Sequence, residues 1–239
     1  MGVAYSQIVT PSVTASQSVT STSLTSSPSA AFAGPNSALS NILVIARDDA
    51  TAQMTSSGLL GYGIPFTSLI VPQSGVALPA LSGSTGGNFG GIVIVSQVSY
   101  DYGGTQGFQS ALTIDQWNQL YAYQLQYGVR MVHLDVFPGP SFGATALGGC
   151  CNAGVEQLIS FTDTSAFATS GIKTGAGVST MGLWHYPSTI SNTTSTKQVA
   201  KFAASGQFSE STAAVINNFD GRQQVGTSSC IAIISYTDF

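Results

Sequence analysis

The apolar positions of this chain fall into runs rather than alternations. Residues 41–49 read Asn-Ile-Leu-Val-Ile-Ala-Arg-Asp-Asp, with unbroken apolar character from Ile42 to Ala46. Such a run predicts a strand buried on both faces, the kind a helix-covered parallel sheet requires. Residues 91–96 (Gly-Ile-Val-Ile-Val-Ser) and 129–137 (Val-Arg-Met-Val-His-Leu-Asp-Val-Phe) repeat the pattern, and 66–71 is a further strand candidate. Between them lie two helix candidates. Residues 51–60 form the first, stopped by Gly61-Tyr62-Gly63. The second opens at Thr113, where Thr113 and Gln116 have capping-box spacing. Ile114, Trp117, Tyr121 and Leu125 share one face at helical spacing, and Gly128 stands at C′. Pro138-Gly139-Pro140 breaks the last of these strands. The alternation predicts an α/β fold with a doubly wound parallel core over 41–140, in a flavodoxin-like order that places strands 42–46 and 91–96 side by side. Amidotransferases share this sheet.

The second half reads as richer in β structure. Residues 154–161 fit either element type, and 178–186 predicts a strand ending in Trp184-His185-Tyr186. Residues 213–219 predict a strand entering a type I′ turn at Asp220-Gly221, with the return beginning at Arg222. Residues 6–40 are low in complexity and dominated by Ser, Thr, Ala and Pro. A stretch of this kind cannot bury enough apolar surface to offset chain entropy, so residues 1–40 are expected to be a disordered stalk, O-glycosylated or plain.

Charge narrows the function classes. Only 7% of the residues are charged, the net charge is −4, and six Lys and Arg are spread along 239 residues. Nucleic acid is therefore not an expected partner. No apolar run reaches the ~18 residues of a membrane span. Polarity carried by hydroxyls rather than charge suits a secreted protein, and Asn192-Thr193-Thr194 is an N-glycosylation sequon on a polar loop. Residues 1–9 show neither the basic start nor the apolar core of a signal peptide.

In a parallel sheet, ligands collect beyond the carboxyl ends of the strands. Those ends carry Asp48 and Asp49, then Tyr100-Asp101-Tyr102, then Asp135. Carboxylates accept sugar hydroxyls and aromatic rings cover the apolar face of a pyranose, so these six residues form a candidate carbohydrate site. Asp48 or Asp49 also suits the N-cap of the following helix. His133 and His185 have no second histidine at ligand spacing, so neither a metal nor another cofactor is expected. His133, inside an apolar run, reads as a core residue. An amidotransferase-like hydrolase would carry Cys on the turn after the strand 91–95, where this chain has Ser96-Gln97-Val98. Cys150-Cys151 follows two glycines in a loop, open to a vicinal disulfide, a bond to Cys230, or free thiols.

Four segments together resemble one family. Ile-Leu-Val-Ile-Ala-Arg-Asp-Asp at 42–49, Gly-Cys-Cys-Asn-Ala-Gly-Val-Glu-Gln at 149–157, Ser-Phe-Thr-Asp at 160–163 and Ala-Ala-Val-Ile-Asn-Asn-Phe-Asp-Gly-Arg-Gln-Gln at 213–224 are similar to the amino-terminal region of the fungal secreted galactosaminogalactan deacetylases, or extracellular serine-rich proteins. The resemblance implies a wall- or matrix-associated protein whose polysaccharide partner is a galactosamine-type exopolysaccharide. It also implies a non-catalytic carbohydrate-associated domain over 41–224, ahead of a metal-dependent deacetylase domain. The Asp-Asp and His-x-x-x-His metal motifs of that second domain have no match here, so this chain is not expected to be an enzyme. Residues 225–239 diverge from the family, as a truncated or misread reading frame would. A scaffold that only supports the deacetylase domain, and an amidotransferase-like hydrolase, are the alternatives.

Overall fold

The computed structural model describes residues 37–148, 155–168, 170–206 and 208–228. Most of residues 1–40, expected to be a stalk, Cys150, Cys151, Cys230 and most of residues 225–239 lie outside the described residues.

The elements run in order as β1 (Ile42–Ala46), α1 (Asp49–Gly61), β2 (Phe66–Ile70), the short pair β3 (Ser82–Gly83) and β4 (Gly86–Gly87), and β5 (Gly91–Val95). A small hairpin of β6 (Ser99–Asp101) and β7 (Phe108–Ser110) follows, then α2 (Ile114–Tyr127) and β8 (Arg130–Leu134). The second half comprises β9 (Ala144–Ala146), β10 (Ile159–Phe161), β11 (Ser188–Ile190), β12 (Thr196–Phe202), β13 (Ser211–Phe219) and β14 (Arg222–Thr227). One sheet takes most of the strands in the order β10-β12-β13-β14-β8-β5-β1-β2, with β9 and β11 attached beside β13. The run β2-β1-β5-β8-β14 is parallel throughout, the flavodoxin-like arrangement, and β1 does neighbour β5. The remaining strands continue the sheet antiparallel.

Both faces of the parallel strands are covered, which is why β1, β5 and β8 are apolar without alternation. Ile42, Val44 and Ala46 pack with Ala52 and Leu59 of α1 on one face. Leu43 and Ile45 pack with Leu120 and Tyr123 of α2 on the other. The chain crosses from one face to the other as a doubly wound fold does. At the far side Asp220 (φ 53°) and Gly221 (φ 82°) make the tight turn between β13 and β14, with Phe219 paired to Arg222. β14 carries regular structure through Thr227.

Three local expectations are corrected. The buried face of α2 is Leu120, Tyr123, Gln124 and Tyr127, while Ile114 and Leu125 are exposed and Trp117 and Tyr121 only partly covered. Polar anchors set this rotation. The Tyr123 hydroxyl donates to the Phe89 carbonyl (2.6 Å) and accepts from its N–H (2.9 Å), and Gln124 Nε2 donates to the Gln223 carbonyl (3.0 Å). A pattern of apolar residues alone does not register tyrosines and a glutamine that go in by bonding backbone groups across the fold. The run 129–137 ends as a strand at Leu134, because Asp135 turns out of it at φ 52°. The segment 178–186 is a loop, not a strand. Val178 bridges Ile159, Gly182 reverses the chain at φ 75°, and His185 stands in an isolated bridge beside Tyr186, whose N–H donates to the Ser228 carbonyl.

His133 is a core residue, as expected. It lies stacked near Trp117 (6.1 Å between centroids) and edge-on to Phe142 (5.1 Å). Burial, with the Arg222 charge as a second cause, pushes its pKa down from 6.5 to about 3. A folded-state pKa below the unfolded one gives stability that is complete above pH ~6.5 and is lost as pH falls toward 3. Stability should therefore drop by up to ~1.4 kcal/mol per pH unit from this residue. In His133→Leu the loss of stability between pH 7 and pH 4, read from urea midpoints, should shrink by about 3 kcal/mol. An unchanged pH dependence in that variant would contradict the assignment.

Candidate functional site

The carboxyl ends of β1, β5, β8 and β14 open on one edge of the sheet, and the backbone there departs from ordinary geometry. Ser96 (φ 47°), Gln97 (φ 51°) and Val98 (φ 45°) form a left-handed turn directly after β5, and Asp135 (φ 52°) follows β8. Left-handed backbone is costly for residues other than glycine, most of all for a β-branched one such as Val98, by ~1–3 kcal/mol each. Such strain persists only where surrounding contacts over-determine it. Here Ser96 Oγ donates to Asp135 Oδ2 at 2.6 Å, Ser110 Oγ donates to the Gln97 carbonyl at 2.7 Å, and Val98 is buried in the α2-side core. Strained polar turns at a topological switch point mark this edge as the candidate site.

The candidate residues reach this edge with different degrees of freedom. Asp48 caps α1: its Oδ1 accepts from the Thr51 N–H at 2.8 Å. That bond, first through the backbone and then aided by Arg47, holds the exposed carboxyl below the usual carboxylate range. Asp49 is exposed in the first turn of α1. Tyr100 donates toward the carbonyls of Val71 (2.8 Å) and Arg47 (3.2 Å), joining the ends of β2 and β1, and burial raises its pKa. Tyr102 donates to the Gln73 carbonyl (2.7 Å) and leaves its ring 36% exposed. Asp101 Oδ1 accepts from the Gly103 N–H (2.8 Å) and keeps its side chain in solvent. Arg47 links the groups, with Nη1 donating to the Ser99 carbonyl at 3.2 Å and the guanidinium 5.9 Å from the Tyr100 ring. Asp48, Arg47, Tyr100 and Tyr102 share one electrostatic neighbourhood, and Asp135 is tied to the turn beside it through Ser96, three residues before the Ser99 carbonyl that Arg47 holds. Tyr100 is thus not a free loop ring. It is a fastener built into the β6–β7 hairpin, because its hydroxyl is the group that satisfies the carbonyls at two strand ends.

The edge could serve hydrolysis only with an activated nucleophile. Ser96 stands on the turn where an amidotransferase-like enzyme would carry its cysteine, but its hydroxyl is bound to a carboxylate. A general base for such chemistry is most often histidine. Both histidines are committed elsewhere: His133 packs on Trp117 and Phe142, and His185 lies against Gln157 and Phe202. A serine–carboxylate pair without an imidazole suits recognition of hydroxyl groups, as both donor and acceptor. No group of three or more His, Cys, Asp or Glu able to hold a metal ion occurs among the described residues.

Sequence reasoning passes over Ser96 and Phe137; it holds Trp184 with Tyr186 as the next aromatic pair for a sugar after the six candidate residues. Ser96 was legible in principle, since it is the first polar residue after an apolar strand. Phe137 and Tyr186 meet edge to face, with centroids 5.4 Å apart, beside the end of β14. Tyr186 N–H donates to the Ser228 carbonyl and Val136 N–H to the Thr227 carbonyl. No local pattern links residues so far apart in the chain. The sequon residue Asn192 is exposed on the β11–β12 loop. Its neighbour Ser195 is bonded to Asn218, at the amino-terminal edge of the parallel strands and opposite the candidate site.

Residues 38–227 match the family profile described as Agd3 CBM87. The chain belongs to this family of carbohydrate-binding modules. The solved structure titled "Crystal structure of Agd3 a novel carbohydrate deacetylase" is 66% identical, with a TM-score of 0.78. The match covers 81% of this chain and 30% of that one, so this CBM87 chain spans less than a third of that protein. Similarity of fold alone extends to SMU.1228c, at 13% identity and TM-score 0.50 over 79% of this chain and 76% of that one. A glutamine amidotransferase from Thermotoga maritima aligns at 12% identity and TM-score 0.47 over 79% and 74%. No curated protein sequence matches significantly.

The fastening role of Tyr100 in this CBM87 domain gives a measurable consequence. Tyr100→Phe should lose ~1–2 kcal/mol of unfolding free energy, because buried carbonyls lose their donor. Tyr102→Phe, whose hydrogen bond is solvent-exposed, should lose less than ~1 kcal/mol. Equal losses in chemical denaturation of the two variants would contradict the distinction.

Proposed function

We propose that this chain is the non-catalytic polysaccharide-holding part of a secreted, matrix-associated fungal deacetylase system, and that it binds galactosamine-containing exopolysaccharide through the carboxyl edge of its sheet. The observation that carries the proposal is the strained Ser96–Asp135 pair, set among Asp48, Asp49, Asp101 and the half-exposed Tyr102 ring. Hydroxyl-reading groups and one aromatic face are what a sugar needs. Four carboxylates on this edge, Asp48, Asp49, Asp101 and Asp135, against one half-buried Arg47 favour a cationic, deacetylated polymer over a fully acetylated one. Deacetylation itself is assigned to the remainder of the longer protein that this chain resembles. The Ser/Thr-rich residues 1–40 act as a stalk, residues 41–224 as the binding body, and Asn192 as a glycan acceptor on the far edge.

A scaffold role is favoured by one observation: Tyr100, Asp101 and Asp48 all satisfy their own backbone. The two readings differ in solution. The full chain should be retained by deacetylated galactosamine polymer in affinity electrophoresis, and raising salt from about 0.05 to about 0.5 M should weaken retention. The double variant Asp48→Asn, Asp101→Asn keeps both backbone acceptors while removing two charges. It should fold with stability within ~0.5 kcal/mol and bind the polymer about three- to ten-fold more weakly. Absence of retention for the unaltered chain at low salt would favour the scaffold. Asn192→Gln should leave binding unchanged, because its loop lies on the opposite edge.

A further inference from the structure

Trp184 is the least expected feature of the surface. It is 55% exposed, although tryptophan is normally withdrawn from water unless it meets a partner. The loop that carries it is clamped on both sides. Gln157 and Thr180 bond reciprocally, with the Gln157 N–H donating to Thr180 Oγ1 (2.9 Å) and Thr180 Oγ1 donating to the Gln157 carbonyl (2.8 Å). Gln157 Nε2 donates to the Ala203 carbonyl at 2.8 Å, and its Oε1 lies 3.0 Å from Nε2 of the fully buried His185. The imidazole packs on Phe202, with centroids 4.7 Å apart. The loop that presents the indole is thus held by buried residues on either side of it, so a ligand stacking there has little loop entropy to overcome.

Its place in the sheet gives this ring a direction. β12 ends and β13 begins beside the end of β14, where Ser228 N–H donates to the Ala213 carbonyl, so the 178–187 loop sits on the same edge as Asp135. Phe137 bridges the two: it follows Asp135 by two residues and meets Tyr186, which follows Trp184 by two. Adjacent strands lie ~4.8 Å apart, close to one sugar unit of an extended polymer. From the end of β1 across β5, β8 and β14 to the start of β13 is roughly 19 Å at that spacing, a span of about four sugars.

We infer that Trp184 is a second, distal stacking subsite for the same polysaccharide, so that a chain of four or more pyranose units lies along the strand-end edge from Asp48 past Asp135, Phe137 and Tyr186 to the Trp184 indole. This rests on the proposed polymer binding at the strand ends. The indole takes the apolar face of a pyranose, and the carboxylates at the other end take its hydroxyls and amino groups.

The chain has two tryptophans, and Trp117 is partly buried beside His133, so Trp184 dominates quenching by acrylamide. Adding a galactosamine oligomer of about six units to the full chain should protect tryptophan fluorescence from acrylamide, whereas a disaccharide should not. Trp184→Ala should weaken binding of the six-unit oligomer about ten-fold, leave disaccharide affinity within two-fold, and abolish the protection. Trp184→Phe should restore most of the affinity. If the unaltered chain binds no oligomer of any length, the underlying reading fails and takes this one with it. If it binds the six-unit oligomer with Trp184 unprotected, or Trp184→Ala binds it as tightly as the unaltered chain, the distal subsite is overturned while polymer binding stands.

Discussion

Coverage of both sheet faces is the constraint from which the rest of the molecule follows. Ile42 to Ala46 and Gly91 to Val95 are all buried, with α1 on one side and α2 on the other. A strand buried in this way has no room for chemistry along its length. Polar side chains can be offered only where the strands end, and the parallel run β2-β1-β5-β8-β14 brings those ends to one edge. Arg47, Ser96, Asp135 and Ser228 are the first residues after their strands. The edge is therefore a consequence of the core, and the same burial holds the left-handed backbone at Ser96 to Val98 against its cost.

Much of this is legible in the amino-acid sequence. Unbroken apolar runs revealed the doubly covered strands, Thr113 and Gln116 do form the capping box, and Asp220-Gly221 does make the hairpin turn. The legible features share a property: each depends on residues within a few positions of one another. Misreadings came where distant partners decide. The buried face of α2 was assigned by apolar residues, but Tyr123 reaches across to Phe89 and Gln124 to Gln223, and these set the rotation. The segment 178–186 looked like a strand by composition. It is a loop with single bridges at Val178 and His185, anchored by the side chains of Thr180 and His185 to Gln157, more than twenty residues away.

The candidate site shows the same division. Asp48, Asp49, Tyr100, Asp101, Tyr102 and Asp135 could be placed on one edge from strand order alone. What each side chain is doing could not. Asp48 caps a helix, Tyr100 fastens two strand ends, and Asp101 stabilises its own turn, each through a bond specific to the folded chain. Ser96 acquires meaning only beside Asp135, its partner across 39 positions. A carboxylate has more acceptor sites than a single cap uses, so Asp48 and Asp101 still offer acceptors to solvent.

Membership of the Agd3 CBM87 family makes a carbohydrate the ligand class, and the strand-end edge is the surface on which the account depends. Hydrogen exchange of the full chain, with and without a long galactosamine polymer, tests that dependence most directly. The account predicts added protection confined to the loops that follow β1, β5 and β8 and to the loop around Trp184, with no change at Asn192 or at the Asp220-Gly221 turn. Protection concentrated at the Asn192 edge, or over the exposed sides of α1 and α2, would contradict it.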